Sequence, residues 1–345
     1  MNRLVTLLLS LLGAFACGAL ILALAGYDPL EAYSALLVGA FGSKNAIANT
    51  LAKSTPLIFT GLAVAVAFRG GLFNIGAEGQ LYMGAMAAAL VGVYATGLPG
   101  LLQAALALLA AGVVGALWAG IAGYMKVKFR AHEVIVTIML NYIAISLTNY
   151  LVNYPFKAEG SVPRTDAIPA GMQLTKLMPP NQVTTGIFIA ILSCIIMYWM
   201  FNRTVYGYEI RAIGLNEDAA RTGGISIGKR VVLAMFLSGF IAALAGAVEV
   251  LGVHKYFVAG FSPGYGYDGI AVAVLARNHP LGVIISALLF GALRGGSMNL
   301  DRQTDVPTDF VVMIQALVII FVAIPWVIKK VKLMRKRGNS VGSQS

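Results

Sequence analysis

Charge is what this sequence has least of. Charged residues fill 11% of its 345 positions, where a soluble domain carries roughly 25%. So few ions cannot coat a surface bathed in water on all sides. The chain is 59% hydrophobic with a mean hydropathy of +0.81, so lipid is the expected solvent for much of its surface. Cysteine is almost absent: Cys17 and Cys194 both sit inside apolar runs, which excludes a disulfide scaffold and reads as two buried thiols. A lipoprotein signal would place a Leu-like residue three positions before Cys17, where Ala14 stands. Histidine is limited to three residues, and no metal-site spacing appears. His132-Glu133 lacks the second His of a zinc-protease motif, because Val136 occupies its place. Long polar stretches are missing too, so residues 1–345 read as a single transmembrane domain.

What remains is a series of apolar runs. A helix needs about 20 apolar residues to cross a bilayer. The runs 4–25, 47–68, 81–97, 101–125, 133–153, 184–201, 230–253 and 309–328 qualify. The first exceeds the roughly 7–15 residues of a signal-peptide core and reads as a retained helix. Two shorter runs, 266–276 and 281–294, flank Arg277-Asn278-His279-Pro280 and read either as one hairpin or as two short crossings. The expected fold is an all-α integral membrane protein, a polytopic helical bundle of about ten transmembrane segments with broken or re-entrant helices. Small residues at helical spacing, Ala111/Gly115/Ala119/Gly123 and Gly239/Ala243/Ala247, predict close helix packing within lipid.

The net charge of +11 would suggest nucleic acid in a soluble protein. Here Lys and Arg lie in short connections and in the tail Lys329–Arg337, the pattern of a membrane orientation signal. An N-in, C-in topology puts most of the basic residues in the cytoplasm and the connections around Asp28, Glu159, Asp166, Asp301 and Asp305 outside. Membrane lipid, and not nucleic acid, is the expected surrounding. The proline-containing stretch from Tyr154 to Val183 is then the longest outer connection. It reads equally as a plain loop or as part of a docking face for an external partner.

Two segments break the pattern at membrane depth. Gly70–Gln80 holds four glycines with Asn74, Glu78 and Gln80; Gly260–Gly269 holds Ser262, Pro263, Tyr265 and Asp268. Lipid cannot satisfy a broken backbone, so such segments must be buried in protein or line a watery cavity, and glycine-interrupted segments point to a solute path. Glu78, Asp268 and Glu249, with Glu133 at a helix start, are the ionisable groups at or near this depth. Carboxylates there mark a pathway or a braced structural site. The expected pathway residues are Phe73, Asn74, Glu78, Asn141, Tyr265 and Asp268. Asn74 and Asn141 offer amides to hydroxyls, and Glu78 serves mainly as a brace.

Residues 202–230 form the longest basic connection. Asn216 is a suitable N-cap, Glu217 and Asp218 suit the positive end of a helix, Ala219, Ala220 and Arg221 continue it, and Gly223-Gly224 ends it. The result is a small knob between two spans. Gly223, Gly228 and Lys229 match G-x-x-x-x-G-K, but Arg230 stands where a P-loop needs Ser or Thr and no strand precedes it. ATP binding by this chain is therefore not expected.

At two places the sequence resembles a known family. Gly61-Leu62-Ala63-Val64-Ala65-Val66-Ala67-Phe68-Arg69-Gly70-Gly71-Leu72-Phe73-Asn74-Ile75-Gly76-Ala77-Glu78-Gly79-Gln80 is similar to the signature of permease subunits of bacterial nucleoside ABC importers. These belong to the ribose and branched-chain amino-acid permease superfamily. Tyr208–Ile225 resembles the family's ATPase-coupling segment, which carries Asn216, Glu217, Asp218, Ala219, Ala220 and Arg221 here. The resemblance covers roughly residues 45–330. It implies a permease domain in the bacterial plasma membrane, paired with a second and usually different permease chain. It also implies an ABC ATPase subunit that carries the ATP and Mg, and an external substrate-binding lipoprotein. No cofactor is expected in this chain, and no enzymatic activity of its own. "Nucleoside" comes from the resemblance alone. A ribose-like sugar remains a second reading within the family, and a secondary transporter without an ATPase remains a second reading of the broken segments.

Overall fold

The computed structural model describes the backbone of residues 3–95, 97–322 and 324, with side chains from residue 9 onward. The basic stretch Lys329–Arg337 and the last residues of the expected span 309–328 lie outside the described residues. Within them the chain is all-helical, with two isolated β-bridges and no strand. In chain order the helices are α1 (Arg3–Leu24), α2 (Pro29–Phe41), α3 (Lys44–Arg69), α4 (Ala77–Tyr94), α5 (Gly100–Phe129), α6 (Glu133–Asn153), α7 (Gly186–Arg203), α8 (Val205–Leu215), α9 (Glu217–Thr222), α10 (Ile227–Val248), α11 (Tyr265–Leu275), α12 (Pro280–Gln303) and α13 (Asp309–Val322). A π-helical turn, Glu249–His254, extends α10. Six of these helices, α3, α5, α6, α7, α12 and α10 with its extension, are long and apolar enough to cross a membrane unaided.

The expected runs reappear with three differences. The runs 266–276 and 281–294 are unequal: α11 has 11 residues and α12 has 24. At 1.5 Å per residue α11 is only about 16 Å long, half a bilayer core. Helix α2 was not expected, because its 13 residues are too few for a span. Asp28 starts it by accepting from the Leu30 and Glu31 amides, with Pro29 in the first turn. Helix α8 was read as loop. Thr204 caps it through the Gly207 amide.

The chain divides into two compact units, residues 1–46 with 293–345 and residues 47–292. In the larger unit, α10 packs chiefly against α5 and α4. The small-residue ridges explain how. A Cβ on Gly115 would strike Ala243 and the Gly239 carbonyl, and one on Gly246 would strike the Leu81 carbonyl and Ala85. These helices touch backbone to backbone, gaining dispersion contact where lipid offers no hydrophobic drive. The outward faces of α6 and α7 are apolar: Ile135, Met139, Ile143 and Leu147 on one, Phe188, Leu192, Ile195 and Ile196 on the other, all exposed. The connection after α6 forms no helix beyond a single 3₁₀ turn, Ala170–Met172. Its backbone is instead laced to the chain after α10, through Thr165 N to Phe257 O (2.9 Å), Ile168 N to Lys255 O (2.8 Å) and Leu174 N to Leu251 O (2.9 Å).

In the smaller unit, Tyr33 donates to the Phe15 carbonyl at 2.7 Å and Asn299 to the Ala35 carbonyl at 2.7 Å. Asp28, Glu31, Asp301 and Asp305 line a cleft of about 370 Å³ with Arg302. The connections around Asp28, Asp301 and Asp305, assigned by sequence to one face, are thus neighbours.

Candidate functional site

The two broken segments meet. Helix α3 ends at Arg69, and Gly71 turns the chain with a positive φ of 71°, a conformation open to glycine at no steric penalty. The chain then runs without helix to Gly76, and α4 starts at Ala77. The other break closes at Gly264 (φ 95°), and α11 starts at Tyr265. The glycine-rich run from 260 is therefore irregular only up to Gly264; Tyr265, Asp268 and Gly269 are helical.

Glu78 joins the two helix starts. It lies in the first turn of α4, is 3% exposed, and accepts from the Gly266 amide in the first turn of α11. A Cβ on Gly266 would collide with the Glu78 backbone. One carboxylate thus sits at two positive helix ends, where both dipoles favour its charge. The Thr60 hydroxyl of α3 donates to the Tyr265 carbonyl at 2.9 Å.

Asn141 satisfies the other side of α4. Its Oδ1 accepts from the Gly79 amide at 2.8 Å and its Nδ2 donates to the Ile75 carbonyl at 2.8 Å. The same Nδ2 lies 3.5 Å from the Tyr267 hydroxyl. Asn141 is eight residues into α6, about 12 Å along its axis, so this junction is well inside the helix ends. Asn74, fully buried, donates to Gln80 Oε1 (2.9 Å) and to the Ser238 hydroxyl of α10 (2.8 Å), and accepts from the Gly76 amide (3.0 Å). Ser238 in turn donates to the Ala63 carbonyl at 2.7 Å. The first turn of α4 has no capping side chain of its own. Two of its orphan amides, those of Gly76 and Gly79, are met by Asn74 and Asn141 from outside the helix.

Of the six residues singled out from sequence, Asn74, Glu78 and Asn141 are brought into one polar clasp with the start of α11. Tyr265 is buried. Phe73 is 54% exposed, paired edge-on with Phe68, and Asp268 is half-buried on α11. Tyr267, which sequence reasoning passed over, is 44% exposed beside Asn141. The i, i+2 offset from Tyr265 turns it to another face of α11, a distinction that needs the helix start to be known. Gln80, Ser238 and Thr60 were also missed, since polar residues within apolar runs give no signal of their partners. Glu249 is buried in the π-helical turn, 3.7 Å from His254. Glu133 pairs with Lys126 at 2.9 Å.

The knob is built locally. Asn216 Oδ1 accepts from the Ala219 amide at 3.1 Å, Glu217 pairs with Arg221 at 3.0 Å, and Gly223 and Gly224 (φ 81°) end α9. Ala219 is exposed, whereas Ala220 is buried against α8. Between α8 and α9 runs a groove of about 390 Å³ lined by Tyr208, Ala212, Leu215, Ala219 and Ile225. Leu215 at its lip is 87% exposed. Glu209 pairs with Arg230, whose guanidinium lies 4.6 Å from the Tyr206 ring centre, tying α8 to α10. The G-x-x-x-x-G-K match dissolves, because Gly228 and Lys229 lie in the first turn of α10.

The far end of α3 touches the same region. A Cβ on Gly214 would strike the Arg69 carbonyl, and one on Gly71 would lie 3.1 Å from Gly214 Cα. Arg69 Nε donates to the Asn278 carbonyl at 2.7 Å, and its guanidinium lies 4.9 Å from the Phe201 ring centre. In the same α11–α12 turn, His279 is held below its ordinary pKa, first by burial and then by the Arg69 charge.

A family model described as "Branched-chain amino acid transport system / permease component" matches residues 46–323. The chain belongs to this family. It is a multi-pass membrane protein and a transporter subunit, and the matched region holds both breaks and the knob. Among its relatives in this permease family, the guanosine ABC transporter permease protein NupP of Bacillus subtilis is 39% identical, over 98% of this chain and 99% of its own. The nucleoside ABC transporter permease protein NupB of Lactococcus lactis is 33% identical, over 93% of this chain and 91% of its own. The glucose ABC transporter permease protein TsgB13 of Haloferax volcanii is 34% identical, over 97% and 91%.

Proposed function

We propose that this chain is the transmembrane subunit of an ATP-binding-cassette importer that carries nucleosides across the bacterial plasma membrane. The observation that carries the reading is similarity over nearly the whole length to two permeases named for guanosine and nucleoside transport. The glucose permease of similar identity keeps a sugar as the second reading. The whole chain acts as one permease domain with both termini in the cytoplasm. It works with a second permease chain, an ATPase that itself holds ATP and Mg and docks on the α8–α9 knob, and an external binding lipoprotein.

The clasp suits a weak pathway. Its buried amides and carboxylate are engaged with backbone and with the Gln80 and Ser238 side chains, so Asn74, Glu78 and Asn141 act as the frame that lets the chain break at depth. The exposed rings beside that frame, Phe73 and Tyr267, face a passing solute, with Asp268 half-buried on the same helix as Tyr267. Flat rings offer stacking to a base of about the strength known for aromatic pairs, roughly 0.5–1.5 kcal/mol, enough to guide a nucleoside and too little to trap it.

Uptake of labelled guanosine, adenosine and ribose by cells with and without this gene tests the substrate. Loss of nucleoside uptake alone is expected. Loss of ribose uptake alone would transfer the reading to sugars. Ala219 tests the docking face separately. It is exposed, so Ala219→Glu should leave the chain folded while uncoupling hydrolysis from uptake; normal transport by that variant would remove the docking role.

A further inference from the structure

The tip of α3 reaches three other elements through one residue. The Arg69 carbonyl abuts Gly214 near the end of α8, its guanidinium lies over Phe201 of α7, and its Nε holds the Asn278 carbonyl in the α11–α12 turn. We propose that Arg69 is the positioning residue that delivers displacement of the α8–α9 knob to the short helix α11. The inference rests on the reading of the knob as the ATPase-docking element.

Three observations carry it. First, the α8–α3 contact is backbone on backbone. Gly214 and Gly71 present no side chain that can flex, so a shift of α8 is passed to the α3 tip undiminished. Ile210 of α8 lies beside Gly70 in the same contact. Secondly, α11 is built to move as a unit. Left-handed residues bound it on both sides, Gly264 (φ 95°) before and Arg277 (φ 50°) and Asn278 (φ 57°) after, and hinges are a few such residues at element ends. Glu78 holds its start and Arg69 holds the turn at its end. Thirdly, the turn is incompletely satisfied: among the described residues, the buried Asn278 Oδ1 has no hydrogen-bond partner. An unsatisfied buried acceptor is uncommon and calls for an explanation; a turn with a second resting place for the guanidinium supplies one. Arginine suits the joint because its planar fork donates to a carbonyl while stacking on an aromatic ring, which an ammonium does less well.

The alternative is a static clip that only stabilises the fold. A contiguous contact is not by itself proof of coupling, so the test must separate the two. The assembled transporter, with both permease chains and the ATPase, is reconstituted in proteoliposomes with the binding protein and given labelled guanosine, adenosine or ribose. Uptake per ATP hydrolysed is measured for Arg69→Gln, Arg69→Lys and Gly214→Ala. The expected result is a fall in that ratio of roughly tenfold, the size of a moderate coupling factor, in Arg69→Gln and Gly214→Ala while hydrolysis continues. Arg69→Lys, which keeps the charge but loses the planar fork, is expected to fall between. The double variant should be no worse than either single one. Uptake and hydrolysis falling together at constant ratio, an unchanged ratio, or failure of the variants to assemble would each assign Arg69 a purely structural role and overturn the proposal. If the unaltered transporter moves these solutes without hydrolysing ATP, the functional reading itself fails, and the inference with it.

Discussion

The clasp and the knob are both helix starts with polar caps, yet they are stabilised in opposite ways. In the clasp, the bonds that join separate helices come from far along the chain: Asn141 reaches Gly79 across 62 residues and Glu78 reaches Gly266 across 188, while Asn74 adds local bonds to Gly76 and Gln80. In helix α9 of the knob the side-chain bonds span three or four residues, as from Asn216 to Ala219 or Glu217 to Arg221. The clasp is buried, so a lost partner leaves an unpaired group with no water to replace it. The knob is wet, and solvent takes over any broken bond. The same chemistry is therefore structural at depth and nearly neutral at the surface. What the knob has to offer a partner is its apolar groove and the exposed Leu215.

Substitutions at four positions probe that contrast, from the largest expected effect to the smallest. Glu78→Ala strips the acceptor shared by two helix ends and should destabilise the chain by about 3 kcal/mol, the upper range for a buried charged acceptor. Thermal unfolding in detergent reads it, and Glu78→Gln, which keeps an acceptor, should recover part of the loss. Asn141→Leu leaves the Gly79 amide and the Ile75 carbonyl unmet, for about 2 kcal/mol in the same assay. Asn216→Ala removes an exposed cap worth about 1 kcal/mol. That loss should appear as faster amide exchange confined to residues 217–222, with the global midpoint unmoved. Arg221→Ala breaks an exposed pair worth about 0.3–0.5 kcal/mol and should alter exchange in α9 barely measurably. If the knob variants lowered the melting midpoint as much as the clasp variants, the contrast would collapse.

The two regions also differed in how far sequence could reach. The knob was legible almost residue by residue, because a cap, an acidic first turn and a terminating glycine pair all act within one or two turns. Its neighbour α8 was missed. Its Thr204 cap is ordinary, and its stability comes from Arg230 and from the close approach of Gly214 to Arg69, neither visible locally. For the clasp, the glycine clusters located the breaks, and membrane physics required something to satisfy them. Composition could not show that Asn141, rather than any other buried amide, would be the one to do so. Tyr265 and Tyr267 were likewise indistinguishable until the start of α11 fixed which of them faces inward. The ridges on α5 and α10 were predicted as packing faces and do meet, because a repeat of small residues every fourth position has only one use inside lipid.

The separation of 188 positions from Glu78 to Gly266 also sets a clock for biosynthesis. A ribosome adding about 5–20 residues per second needs roughly 10–40 s to make that stretch. During that interval α4 is present and its carboxylate has no α11 to meet. The nascent chain must therefore shelter an acidic group that the bilayer disfavours, within the insertion machinery or in a shallower position, until residue 266 emerges. Chains truncated before α11 should be held at the translocation site or degraded. Those ending shortly after α12 should leave it.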